Sequence, residues 1–126
     1  MARVRIRAGS SRSIWWADDA SGHHRAKDYF DKKLTPPERA KFQALFNRLA
    51  DHGRIQNQEQ FTKETEHIWC FKRGKHRITC FLEGTDWLLL TGFKKKDNWD
   101  KRHKREIEAA ERTRTSHLER TRGKSK

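Results

Sequence analysis

The stretch His67–Lys96, HIWCFKRGKHRITCFLEGTDWLLLTGFKKK, decides how the rest of the chain is read. Its Trp, Phe, Ile, Thr and Leu runs have the composition of strands. Two glycines divide it into three such runs, within Arg73-Gly74-Lys75-His76 and Glu83-Gly84-Thr85-Asp86. A two-residue hairpin loop needs positive φ, which glycine supplies without steric cost. With Gly74-Lys75 and Gly84-Thr85 as the loops, Arg73 faces His76, Lys72 faces Arg77, Phe71 faces Ile78, Cys70 faces Thr79 and Trp69 faces Cys80. Across the second loop, Leu82 faces Trp87, Cys80 faces Leu89, Ile78 faces Thr91 and Arg77 faces Gly92. Side chains alternate between the faces of a strand. One face therefore gathers Trp69, Phe71, Ile78, Cys80, Leu82, Trp87, Leu89 and Phe93 as a core surface. The other carries Lys72, Arg77 and Lys94 at one end, and Cys70, Thr79, Phe81, Leu88 and Leu90 further along. Three cations on the open face of a small sheet are the first functional pointer.

Working outward, the segment before the sheet is helical. Thr35-Pro36-Pro37-Glu38 has a Thr cap, a proline at the first helical position and a Glu three residues after the cap, which is a helix start. Phe42, Leu45, Phe46 and Leu49 follow at helical spacing, and Gly53 ends the run. His23 to Leu34 reads as a shorter helix with Ala26, Tyr29, Phe30 and Lys33 on one side. The two form a helical hairpin expected to cover the Trp69/Phe71/Ile78 face. Ser13-Ile14-Trp15-Trp16 is a candidate strand, and Val4 and Ile6 leave room for an edge strand in an otherwise loose Arg- and Ser-rich start. Beyond the sheet, a polar helix is expected from about residue 102 to 120, with Ile107, Ala109, Ala110 and Leu118 as a thin apolar stripe. The expected fold is α+β: a small antiparallel sheet of three or four strands on an N-terminal helical hairpin, with a C-terminal helix. Residues 1–12 are expected to be a basic flexible tail, 13–120 the single domain, and 121–126 a disordered basic tail.

The bulk composition narrows the partners. With 126 residues, 33% apolar and 37% charged, the chain has one domain's length and a small core. Thirty Lys and Arg against 17 Asp and Glu give a formal charge of +13. Such a balance disfavours an enzyme of small metabolites and suits a polyanion, either nucleic acid or ribosome. The basic residues lie on no helix with a wide apolar face, so a membrane surface is the weaker partner. No run approaches the ~18 apolar residues of a membrane span. The start, MARVRIRAGSSRS, lacks the apolar core of a secretory signal. Cys70 and Cys80 fall on opposite faces in this register, which disfavours a disulfide and fits the reducing cytoplasm.

The ordered set of elements resembles the RelE/HigB-type toxins of bacterial and phage toxin–antitoxin pairs. The resemblance runs from about residue 14 to 118. It rests on a helical segment ending in "RLADHG", then "HIWCFKRG", "HRITCFL", "WLLLTGFKKK" and the helix "EIEAAERT". It departs from the family pattern at Cys70, where Glu is common, and at Thr91, where His is common. The resemblance implies a compact toxin that binds the 30S A site and cleaves mRNA without metal or other cofactor. A cognate antitoxin, often of helix-turn-helix type, would restrain it. By position, Arg77 matches the strand arginine that relatives use on the scissile phosphate, Lys72 matches the arginine of their Glu-Leu-Arg, and Lys95 and Lys96 match their lysine pair.

Metal-free RNA cleavage asks three things of side chains. The 2′-hydroxyl must lose its proton, the phosphorane charge must be met, and the 5′-oxygen must be protonated as it leaves. Arg77 suits the second task through its planar fork. Lys72 and Lys94 stand beside it in the register, with Lys95 next in line, and a clustered lysine has a lowered pKa that suits a base. His76 reads first as a solvated turn residue and second as an acid or base. Arg73, Lys75 and Lys96 are candidates for the RNA backbone, and Phe81 and Trp99 for base stacking, with packing as their plainer role. His23-His24 has no partner pair at ligand spacing, so no metal site is expected. Two other functions compete: a ParE-like relative acting on another target, and a non-catalytic RNA- or ribosome-binding module.

Overall fold

The computed structural model describes residues 4–19, 21–95 and 99–124. Six strands and three helices run in the order β1 (Val4–Ala8), β2 (Ser13–Trp16), α1 (Arg25–Lys33), α2 (Pro36–His52), β3 (Phe61–Lys63), β4 (Trp69–Arg73), β5 (His76–Glu83), β6 (Asp86–Lys94) and α3 (Trp99–Lys124). The strands form one sheet in the order β1-β2-β6-β5-β4-β3. This is larger than the expected three or four strands, and it is mixed. β2 lies parallel to β6, with Ile14 opposite Trp87 and Trp16 opposite Leu89. The other pairings are antiparallel. Val4–Ala8 is ordered as the edge strand against β2 and is not a loose tail.

The glycine turns fold as their sequence demands, with φ of 58° at Gly74 and 63° at Gly84. The β4–β5 register is the expected one, from Arg73 opposite His76 to Trp69 opposite Cys80. The β5–β6 register holds only from Glu83 to Cys80. A bulge between Thr79 and Cys80 then shifts every later pair, so that Thr79 faces Thr91, Ile78 faces Gly92, Arg77 faces Phe93 and His76 faces Lys94. One extra residue in a strand turns all the residues beyond it to the opposite face. Lys94 consequently shares a face with His76, while Phe93 shares one with Arg77 and Lys72.

Both faces of the sheet are covered. α1 and α2 lie on the face of Phe71, Ile78, Cys80, Trp87 and Leu89, packing Ala26, Phe42, Leu45, Phe46 and Leu49 into one cluster with them. α3 covers the opposite face, where Ile107 and Ala110 meet Ile68, Phe81, Leu88 and Leu90. The face expected to be open is thus a second core. α2 begins with the capping box read from Thr35 and Glu38, and ends at Gly53 in the left-handed conformation, φ 75°. No described helix is long and apolar enough to cross a membrane.

Candidate functional site

His76, the first residue of β5, is the junction of three elements. Its Nδ1 lies 2.6 Å from the Tyr29 hydroxyl of α1, and its Nε2 lies 2.9 Å from Glu38 Oε2 of α2. The imidazole is only 12% exposed, so it is not the solvated turn residue its position beside Gly74 suggests. Glu38 is doubly committed. Its Oε1 accepts from the Thr35 backbone N–H at 2.8 Å, closing the capping box, while its other oxygen meets the imidazole. The Thr35 N–H bond, with the Thr35 hydroxyl and His76 adding to it, holds the Glu38 carboxyl below its ordinary pKa. Burial pushes the Tyr29 phenol up to about 12, and the nearby Glu38 charge adds to the shift.

A cavity of about 410 Å³ opens over this group, lined by Tyr29, Lys33, His76, Phe93, Lys94, Arg102 and Glu106. Its cations come from α1, β6 and α3. A second hollow of about 280 Å³ lies on the β4 side and is lined by Glu38, Lys41, Glu59, Gln60, Lys72, Arg73 and Gly74. Glu38 therefore fronts one hollow while the histidine it holds fronts the other. The β4–β5 turn borders both, with Arg73 and Gly74 lining the second hollow and His76 the first. Arg77 braces that turn, its Nη1 donating to the carbonyls of Gly74 and His76 at 2.8 and 2.9 Å. Beyond the strand end, the Lys95 N–H donates to the Lys75 carbonyl at 2.7 Å, which extends the ladder.

The expected cationic trio is divided. Lys72 and Arg77 pair across β4 and β5 on the α3 side, whereas Lys94 pairs with His76 on the α1 side. Arg73 joins His76 and Lys94 on that second face. Lys75 is exposed at the turn, and Lys94 and Lys95 are exposed at the end of β6. Phe81 cannot stack on a base. It is 2% exposed, with the His117 ring and the Arg114 guanidinium over it. Lys96 and the Trp99 side chain lie outside the described residues. Tyr29 and Glu38 went unassigned in the sequence, where Tyr29 marks a helix face and Glu38 completes a cap. The signal for Glu38 was present: a capping box engages one carboxylate oxygen and leaves the other for a second partner.

The two thiols and the Thr91 hydroxyl are packed inside the fold. Cys70 and Cys80 are free and buried, and desolvation raises both thiols, Cys70 to about 12, which removes them as nucleophiles. Thr91, which departs from the toxin pattern, is buried with its hydroxyl 2.6 Å from that of Thr79. Among the described residues, no group of three or more His, Cys, Asp or Glu is placed to hold a metal ion.

Residues 28–115 match the family described as phage derived protein Gp49-like (DUF891). The match begins one residue before Tyr29 and takes in Glu38, all of β3 to β6 and much of α3. No curated protein and no solved structure matches the chain. With most of its length covered, and with Tyr29, Thr35, Glu38 and His76 all inside the match, the chain belongs to the Gp49-like family of phage-derived proteins.

Proposed function

We propose that this chain is the toxin of a toxin–antitoxin pair, an endoribonuclease of the RelE/HigB type that cleaves mRNA in the ribosomal A site and is restrained by an antitoxin. The observation that carries this is the convergence of Lys33, Lys94 and Arg102 from three elements on a cavity that His76, a titratable group, also lines. Cations around a proton-transfer group are what phosphodiester cleavage requires. The formal charge of +13 supplies long-range attraction to RNA and ribosome.

In this mechanism the exposed amines of Lys94 and Lys33 meet the non-bridging oxygens as charge builds on phosphorus. Arg77 holds the turn that presents His76, and Lys72, Arg73 and Lys75 flank the turn where the adjoining RNA backbone passes. Phe93, buried against the His103 ring, closes the cavity from β6 as packing. The test is to add purified protein to translating ribosomes and map new mRNA 5′ ends. New ends on ribosome-bound message are the expected result. Salt-dependent ribosome binding without new ends would replace cleavage with a purely binding function.

A further inference from the structure

We propose that Tyr29 is the catalytic acid–base residue of this site, and that His76 and Glu38 are its positioning residues, forming a relay from phenol to carboxylate. This rests on the RNA-cleavage function above and says which atom meets the substrate. An ionised carboxylate only accepts hydrogen bonds, so the 2.9 Å contact to Glu38 requires the proton on His76 Nε2. Nδ1 of the neutral ring is then an acceptor, and the Tyr29 O–H donates to it across 2.6 Å. Both ring nitrogens are committed, and the ring is 12% exposed. The imidazole therefore has no nitrogen left for a substrate atom. Glu38 fronts the hollow on the β4 side, so the member of the chain left to meet a substrate in the cavity of Lys33 and Lys94 is Tyr29, which lines it with them.

Two features of the fold serve this arrangement. The capping box fixes Glu38 through Thr35, so the carboxylate is oriented before substrate arrives. The bulge in β6 brings Gly92 opposite Ile78, and Tyr29 occupies the space a side chain there would fill. A phenol that titrates near 12 keeps its proton at neutral pH, so alone it has no free lone-pair base to offer. An acceptor 2.6 Å away removes that difficulty, because the phenol passes its own proton on as it takes another.

The step balances without a co-reactant beyond water. The RNA 2′-hydroxyl gives its proton to Tyr29 Oη while the phenolic proton moves to His76 Nδ1. The resulting imidazolium is held by the Glu38 carboxylate. The 2′-oxygen bonds to phosphorus and the P–O5′ bond breaks, leaving a 2′,3′-cyclic phosphate. The 5′-oxygen takes a proton from water. The imidazolium proton returns to the phenol, whose own proton passes to the hydroxide so formed.

The test compares Tyr29→Phe, Glu38→Gln and wild type in single-turnover cleavage on ribosomes across pH, with ¹⁵N NMR of the His76 ring. Charged groups around the relay are Lys33 on α1, Lys41 on α2, Glu59 before β3, Lys72 and Arg73 on β4, Arg77 on β5, Lys94 on β6, and Arg102 and Glu106 on α3. All are retained in these variants. Tyr29→Phe should slow cleavage by about 10²-fold or more at unchanged KM, the range of a lost acid–base group. Glu38→Gln should move the imidazole proton from Nε2 to Nδ1, since an amide nitrogen facing Nε2 donates. It should also reduce the rate at least tenfold and abolish the acidic limb of the pH profile. A merely structural tie between α1, α2 and β5 would lower the melting temperature and shift the tautomer in Glu38→Gln, but would leave the pH profile of cleavage unaltered. Wild-type cleavage with Tyr29→Phe equally fast, or a wild-type ring protonated on Nδ1, would overturn the relay alone. Wild-type protein that cleaves nothing would overturn the nuclease function, and the catalytic role with it.

Discussion

A Cβ placed on Gly92 would fall 2.4 Å from Cγ of Tyr29 and 2.5 Å from its Cβ. The glycine of β6 and the tyrosine of α1 are thus a fitted pair, and the fit seats the phenol against His76. Gly92→Ala forces either the ring or the strand to move, since the obstructing atoms belong to the root of the side chain and not to a flexible end. Overpacking of this kind costs about 1–3 kcal/mol. The expected outcome is a lower urea midpoint together with loss of the Tyr29–His76 hydrogen bond. Chemical denaturation and the ultraviolet titration described next check the two effects separately.

Tyr29 is the chain's one tyrosine, so phenolate absorbance near 295 nm reports it alone. Burial holds its proton, and ionisation should be centred at about 12, against about 10 for a free phenol. The folded state binds this proton more tightly than the unfolded chain does. The resulting stability is complete below about pH 10 and is lost as pH climbs from there toward 12. Tyr29→Phe removes this contribution to the alkaline decline. A wild-type absorbance midpoint near 10 would place the phenol in solvent and contradict the cavity geometry.

How far the sequence reveals this site is decided in β6. The turns at Gly74 and Gly84 fix the β4–β5 ladder, because positive φ has one cheap residue and the pairing starts from it. The β5–β6 ladder starts equally well but passes through Trp87-Leu88-Leu89-Leu90, an unbroken apolar run. Alternation fixes register only where one face is wet. Here both faces are cores, one under α1 and α2 and one under α3, so nothing in that run signals the extra residue. The bulge moves Lys94 from the company of Arg77 to that of His76. The parallel pairing of β2 with β6 was illegible for another reason, since its partners lie about seventy residues apart and no turn connects them. Glu38 was visible as a cap, but its second partner on β5 is a tertiary contact that helix signals do not encode.

Dividing the cations between two faces separates their roles. Lys94 is exposed and contributes charge to the cavity, so Lys94→Ala should leave stability within about 0.5 kcal/mol. It should reduce cleavage by roughly 10- to 100-fold, as loss of a charge-stabilising group does. Arg77→Ala removes the two hydrogen bonds that brace Gly74 and His76, worth about 1 kcal/mol each. It should lower stability and also relieve growth inhibition on expression. Chemical denaturation beside a growth assay distinguishes the two variants. An Arg77→Ala protein as toxic as wild type would remove Arg77 from the site.

The last relationship ties the far side of the sheet to the same function. His117 on α3 is 1% exposed, with Nδ1 3.1 Å from Asp18 Oδ1 just after β2 and Nε2 3.9 Å from Glu83 Oε2 at the end of β5. The contact to Asp18 joins residues 99 positions apart, and it stands beside the apolar seam of Ile107 and Ala110 that docks α3. His117→Leu removes a buried hydrogen bond to the Asp18 carboxylate, a change that costs about 1.5–3 kcal/mol. α3 also carries Arg102 and Glu106 into the cavity over His76, so a looser helix should disturb that wall. The expected result is faster amide exchange along α3, a lower melting temperature and weaker cleavage, with His76 keeping its tautomer because α1 and α2 alone set it. Exchange in His117→Leu that accelerates in α1 and α2 as much as in α3 would show that the helices do not loosen independently.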